Sequence, residues 1–291
     1  MMNLREYFER IGYSGPFKKP DLETLNTIHR CHILSVPFEN LSIHCGEKIT
    51  TDLDTIFNKI VRRGRGGWCC ENNLLFSWVL KELGYDTTML GAKVFNSLTK
   101  EYSPTESHLI NKVIIAGKPY IADVSFGVSY QIREPLELIS GKEQPQLPGL
   151  FQLVEHEGTW VLFKTGRKIL IPNKSFVSSS LIDKALTKTI YCFTLAPRSI
   201  DHFLQTTEHL QTSPDSLFTN KSICSLQTDT GFRAVIGWTY SEVIYNYQDG
   251  HDLYEMSTIP DEEVEEVLKE KFGVALEHQL ASVNNKLCFT L

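Results

Sequence analysis

The chain has 291 residues, 42% of them hydrophobic and 22% charged, which gives it material for a sizeable core and for two or three packed units. Its formal charge of -6 argues against a general nucleic-acid binder or a protein of anionic membranes, since those surfaces are basic. No apolar run approaches the roughly 20 residues that cross a bilayer, and the charged opening MMNLREYFERIGY has no h-region of a secretory signal.

Up to about residue 85 the chain reads as helical. Pro20 and Asp21 open a segment whose Leu22, Leu25, Ile28 and Cys31 fall near one helical face. It stops before Val36 and Pro37, because proline disfavours helix in the residue ahead of it. A second segment covers Leu53 to Val61. A third begins near Trp68, is apolar nearly all round through Leu74, Leu75, Phe76, Trp78, Val79, Leu80 and Leu83, and ends at Gly84, a C-terminal cap. Such a helix is expected inside the molecule.

From about Thr87 to Leu195 the texture is that of strands. HLINKVIIAGKPYIADVSFG is a hairpin around an Ala-Gly-Lys-Pro turn, and GTWVLFK, KILIPN and TIYCFTL continue the pattern. The serine-containing stretch from Asn173 to Lys184 reads as a surface excursion. The last third mixes strands (ICSLQT, RAVIGWTYSEVIYNY) with one helix that starts near Pro260 and Asp261 and stops at Phe272 and Gly273.

The chemistry concentrates in RGRGGWCCENN, residues 63–73. Seven cysteines without a repeating frame, in a chain with no export signal, read as reduced thiols and point to the cytosol. Most buried thiols are small hydrophobes, and Cys31, Cys45, Cys192, Cys224 and Cys288 are read that way. Cys69 and Cys70 differ. They follow a glycine turn at a helix start, where free N–H groups and the macrodipole stabilise a thiolate and offer an oxyanion hole. Gly66 and Gly67 allow close approach of a substrate, and Arg63 and Arg65 add positive potential. Helical spacing alone leaves both thiols as candidates for the nucleophile.

A thiolate needs a base held by a third group. If the hairpin turns over two or four residues, cross-strand numbers sum to an odd value, and His108 and Asp123 emerge on one face of the sheet. With Ala116 and Gly117 as the turn, Asp123 faces Ile110 and lies diagonal to His108, about 7–8 Å away at the backbone. A metal site is poorly supported: His29, Cys31, His32, His44 and Cys45 form neither C-x₂-C nor H-x₃-H. GRGG lacks the rest of a phosphate loop. The N-x-[ST] sequons at Asn40, Asn173 and Asn220 carry no meaning in a cytosolic chain.

RGGWCCENN resembles the R-G-G-x-C-x-E-x-N signature of the arylamine N-acetyltransferases, and VPFENLSIHCG, ETLNTIHR, DTTMLGAKV, PLELISGK, LQTSP and FTNKSICSLQT are similar to the vertebrate members, so the likeness spans nearly the whole chain. The resemblance implies an α+β fold made of a helical bundle, a β-barrel and an α/β lid around a papain-like or transglutaminase-like cysteine core. The units are expected at 1–85, 86–195 (with a surface insert at about 170–184) and 196–291. It places the nucleophile at Cys69, Cys70 on a variable position, the base at His108 and its partner at Asp123. It implies ping-pong transfer of acetyl from acetyl-CoA, a cosubstrate and not a bound cofactor, to arylamines and hydrazines, with O-acetylation of N-hydroxyarylamines besides. The same triad also suits a cysteine hydrolase or a transglutaminase-like enzyme. Ser107 and Phe126 align with the acceptor pocket, and Pro104, Thr105, His209, Asp215 and Cys288 with the coenzyme site. Val128 stands where some relatives have arginine, which implies a less polar acceptor pocket. No metal, nucleic acid or membrane is implied, and a cytoplasmic monomer in xenobiotic metabolism is expected.

Overall fold

A computed structural model describes residues 2–16, 19–285 and 289–291. Asn3 and Asp21 accept from the backbone N–H groups of Arg5 and Thr24 and so start α1 (Leu4–Ile11) and α2 (Leu22–Ser35), each side chain satisfying a donor the helix cannot. Helix α1 lies in the stretch read as helical, and its Leu4, Tyr7, Phe8 and Ile11 form one apolar face. Two short helices follow, α3 (Leu41–His44) and α4 (Leu53–Phe57), and α4 runs on into a π-helical turn over Asn58–Arg62. The expected buried helix is α5 (Cys69–Glu82). Its Leu75, Phe76, Val79 and Leu80 are fully buried against Tyr7, Leu25, Ile28 and Phe57.

An antiparallel, near-closed, barrel-like sheet comes next. In spatial order its main strands are Leu136–Glu137, Lys118–Ala122, His108–Ile115, Asp86–Asn96, Thr187–Phe193, Thr159–Thr165, Gly149–His156 and Glu143–Gln146. Leu90, Ile110, Ile121, Phe151, Leu153 and Leu162 fill its core.

The second sheet is ordered Phe38–Glu39, Ile223–Gln227, Gly231–Ile236, Thr239–Gln248, His251–Thr258 and Lys168–Leu170. Both edge strands come from earlier in the chain, the last of them parallel to its neighbour. Helices α6 (Leu204–Thr212) and α7 (Leu217–Asn220) precede this sheet, and α8 (Val264–Phe272) covers it and ends at Gly273 in the left-handed conformation. The excursion after Asn173 is mostly exposed, as expected, except that Leu181 is buried and its carbonyl accepts the backbone N–H of Leu291 at 2.8 Å. The chain end is thereby fixed to the excursion.

One buried charge is out of place. Lys164 is 4% exposed, donates to the Ser129 carbonyl, and lies 5.7 Å from the Tyr245 ring centroid. Burial, aided by the neighbouring charge of Lys188, pushes its pKa down to about 7. The unfolded chain holds this proton up to a higher pH, so the burden is full below pH 7 and fades as pH rises toward the lysine's ordinary value. Lys164→Met is therefore expected to raise stability at pH 6 by about 2 kcal/mol. Thermal melts across pH 6–10 check it: the advantage of the variant must shrink as pH increases.

Candidate active site

The loop before α5 docks on the strand at Phe38 and Glu39. Gly67 N–H donates to the Pro37 carbonyl at 3.2 Å, and its own carbonyl accepts from Glu39 N–H at 3.0 Å. A Cβ on Gly66 would lie 2.2 Å from the Pro37 oxygen, so only glycine permits this approach. Glu71 Oε2 accepts from Trp68 N–H at 3.1 Å, the glutamate half of a capping box. Cys69 is thus held at the first position of α5.

The arginines do not act as the sequence suggested. Arg65 is 1% exposed and spends its charge on Glu39, at 3.1 Å, and on Glu47, at 3.5 Å. Arg63 pairs with Glu277 at 2.9 Å. Opposed carboxylates cancel the positive potential these side chains would otherwise place near the thiol.

The hairpin turns at Ala116 and Gly117, with φ of 50° and 78°, the left-handed pair of a two-residue turn. Asn111 pairs with Ala122, so Asp123 follows directly on the face that holds His108. Nε2 of His108 lies 2.7 Å from Oδ2 of Asp123, which leaves Nδ1 for the sulfur. Cys69 Sγ lies 3.5 Å from the Ser107 carbonyl oxygen, and the His108 ring acts on the sulfur to favour its charge. Cys69, His108 and Asp123 are all buried.

Charge distribution separates the two thiols. A hydrogen bond from Cys70 outweighs the cost of burial and, with His108, brings the Cys69 pKa down to about 5. The same bond, together with burial, drives Cys70 well up. These shifts favour the charge on Cys69 and the proton on Cys70. Burial disfavours charge on His108, but Asp123 and the Cys69 thiolate outweigh it and raise the imidazole to about 10. Asp123 is lowered despite its burial, because His108, Asn73 and the Ser125 N–H all stabilise the carboxylate.

Several positioning groups had no role in the sequence reading. Asn73 Nδ2 donates to Asp123 Oδ1 at 2.9 Å and to the Leu109 carbonyl at 2.8 Å. Its Oδ1 accepts from Val124 N–H at 3.0 Å. Gln131 Oε1 accepts from Phe126 N–H at 2.8 Å and from Gly127 N–H at 3.2 Å, fixing the loop after Asp123. Tyr191 packs its ring 5.2 Å from that of His108. Asn73 was within reach of sequence reasoning, since it lies four residues after Cys69 on one helical face.

Among the ligand candidates, Phe126 is half-buried with its ring edge-on to His108 at 5.1 Å, and Ser107 contributes the carbonyl beside Cys69. Pro104 and Thr105 are exposed in the segment leading to His108. His209 on α6 and Asp215 ahead of α7 are exposed too, while Leu210 and Phe218 from the same helices pack in the cluster of Cys69 and Cys70. Cys288 lies outside the described residues. Val128 is buried and packs in the core of the second sheet with Phe232, Tyr245 and Leu291.

The histidines weighed as metal ligands are hydrogen-bonded elsewhere. His32 bonds to Tyr7 at 2.8 Å, and His44 lies 2.8 Å from the Phe218 carbonyl. Among the described residues one group has metal-ligand spacing, Glu47, Glu277 and His278. Arg63 and Arg65 already neutralise its two carboxylates.

A family model described as N-acetyltransferase matches residues 21–281. The pineal gland arylamine N-acetyltransferase isozyme NAT-10 of Gallus gallus is 54% identical over the full length of both chains. Arylamine N-acetyltransferase 2 of Mus musculus is 47% identical, again over the full length of both. The fold is similar to that of the M. smegmatis arylamine N-acetyl transferase, with a TM-score of 0.81 at 26% identity over 95% of this chain and 93% of that one. A buried cysteine, histidine and aspartate in contact, on a fold and a sequence shared with these enzymes, lead to one conclusion: the chain belongs to the arylamine N-acetyltransferase family.

Proposed function

We propose that the protein transfers acetyl from acetyl-CoA to the nitrogen of arylamines and hydrazines through an acetyl group carried on Cys69. The observation that carries this reading is the buried arrangement of Cys69 at the start of α5, beside His108, whose Nε2 is anchored on Asp123 at 2.7 Å. The thiolate attacks the thioester carbonyl, and the free N–H groups of the first turn of α5 receive the developing oxyanion. His108 gives its proton to the departing coenzyme A sulfur. The acetyl-cysteine is also a thioester, so transfer potential is conserved. A neutral aromatic amine then attacks, His108 takes the amine proton, and the Cys69 thiolate leaves. Phe126 and Ser107 flank the position of the acceptor ring. Pro104, Thr105, His209, Asp215 and Cys288 are assigned to the coenzyme.

Within this reading residues 1–85, 86–195 and 196–291 act as bundle, barrel and lid, with 170–184 as the insert. No helix among the described residues is long and apolar enough to cross a membrane. The thiolate works only where it stays reduced, which supports a cytoplasmic site of action. O-acetylation of N-hydroxyarylamines uses the same acyl-enzyme.

Initial rates with purified protein, varying acetyl-CoA at several fixed arylamine concentrations, test the reading. Parallel reciprocal plots and acetylated amine are expected. Acetate released at full rate without any amine would instead assign a hydrolase.

A further inference from the structure

The acyl-cysteine reading gives Cys69 its task, and the residues behind α5 bear on how the sulfur is held and charged. Glu71 is two positions beyond Cys69, its side chain only 2% exposed, with one oxygen on Trp68 N–H and the other 2.8 Å from Lys59 Nζ. Lys59 arrives from the π-helical turn Asn58–Arg62. The extra residue in such a turn re-aims the side chains that follow it, and π-turns concentrate at functional sites. The Lys59 side chain is 9% exposed. Gly67 is pressed on the same carboxylate: a Cβ there would lie 2.8 Å from Glu71 Oε2. The carboxylate therefore touches both the turn that presents Cys69 and the one cation hydrogen-bonded to it among the described residues.

Burial, with Glu39 as a like charge, raises the Glu71 carboxyl against the pull of Lys59, and Glu39 is itself held by Lys59 and by Arg65, the latter at 3.1 Å. His108, Asp123 and Cys70 face Cys69 from the other side. Lys59 is left as the direct counter-charge of Glu71. Breaking a buried pair by removing one partner strands the other charge, whereas exchanging both for neutral groups need not cost stability.

We propose that Lys59 is a positioning residue for acetyl transfer: by neutralising Glu71 at the base of α5 it locks the Gly67–Trp68–Cys69 turn and keeps a stray negative charge away from the nucleophile. Glu71 is its partner in this role. Nothing in the pair touches the acyl group. The interaction reaches the reaction through the turn geometry and through Cys70, on which the Glu71 charge acts and which bonds to the Cys69 sulfur.

The test is the pH profile of iodoacetamide alkylation at Cys69, located by peptide mass spectrometry, with Cys69→Ala as the blank. Acid-shifted alkylation of the wild-type protein at Cys69 checks the parent reading first, and its absence would sink that reading and not this one. Given that profile, Lys59→Met is expected to move its midpoint up by about one pH unit, an approximately tenfold slower reaction on the acid limb. Lys59→Met combined with Glu71→Gln is expected to return the midpoint to within a few tenths of a unit of wild type. An unchanged midpoint in Lys59→Met overturns the proposal, as does a shift that persists in the double variant. If Lys59→Met fails to fold, recovery of fold and midpoint by the added Glu71→Gln supports it, and collapse of both variants assigns the pair to packing alone.

Discussion

Cys69→Ser is expected to abolish acetyl transfer, by at least about a thousandfold in kcat/KM, and to remove the single acetyl group that intact-mass measurement detects after mixing with acetyl-CoA. A serine hydroxyl is not ionised by an imidazole near neutral pH in the way that the Cys69 thiol, at about 5, is ionised beside His108. An acetyl-serine would also be an oxygen ester, a poorer donor than a thioester, so the second half-reaction fails with the first. Cys70→Ser is expected to retain the adduct, because a hydroxyl can donate to the Cys69 sulfur in place of the Cys70 thiol. The two variants separate adjacent residues by mass alone. An adduct that survives in Cys69→Ser and vanishes in Cys70→Ser would reverse the assignment of nucleophile and donor.

Which parts of this arrangement were legible in the sequence depends on the range of the interactions involved. The hairpin register follows from parity once the turn is placed, and the observed pairing of Asn111 with Ala122 is the one that parity argument used. Helix α5 was readable because its buried face extends nearly all round. The choice between Cys69 and Cys70 was not readable from spacing, since the decision rests on a histidine 39 positions along the chain from Cys69 and on the bond between the thiols. Only the family signature supplied it in advance. Arg65 shows the opposite failure. Read along the chain it is a cation near a thiol, but Glu39 and Glu47 meet it through tertiary folding and leave no field to spare. The edge strand at Phe38–Glu39 was invisible for a similar reason, and KILIPN, though read as a strand, gave no sign that Lys168–Leu170 completes the other sheet. Two or three residues carry no periodicity, and their pairing with distant strands is decided by the sheet they complete.

Asp123→Asn carries the second large effect, and the surrounding hydrogen bonds decide how the new amide sits. Oδ1 of Asp123 accepts from Asn73 Nδ2 and from Ser125 N–H, and an amide oxygen can keep both. The amide nitrogen must then point at His108 Nε2 as a donor, where the carboxylate was an acceptor. Two consequences add. His108 loses the carboxylate that outweighs its burial, so its pKa falls from about 10 and the imidazolium disappears at neutral pH. Nε2 must accept from the amide, which forces the ring proton onto Nδ1, the atom that otherwise serves the sulfur; an analogous wrong tautomer in a serine-protease triad costs about 10⁴ in kcat. Without the imidazolium the Cys69 thiol climbs from about 5 toward the ordinary cysteine range, with the Cys70 hydrogen bond still holding it below that range, so the thiolate fraction at neutral pH falls. The variant is therefore expected to fold, to lose acetyl transfer by about three to four orders of magnitude, and to recover part of its Cys69 alkylation rate as pH rises through about 8. Wild-type alkylation is already at its plateau there. An Asp123→Asn protein whose sulfur still titrates near 5 would show that the carboxylate neither charges the histidine nor directs its proton, and the coupling between the aspartate and the thiolate would have to be abandoned.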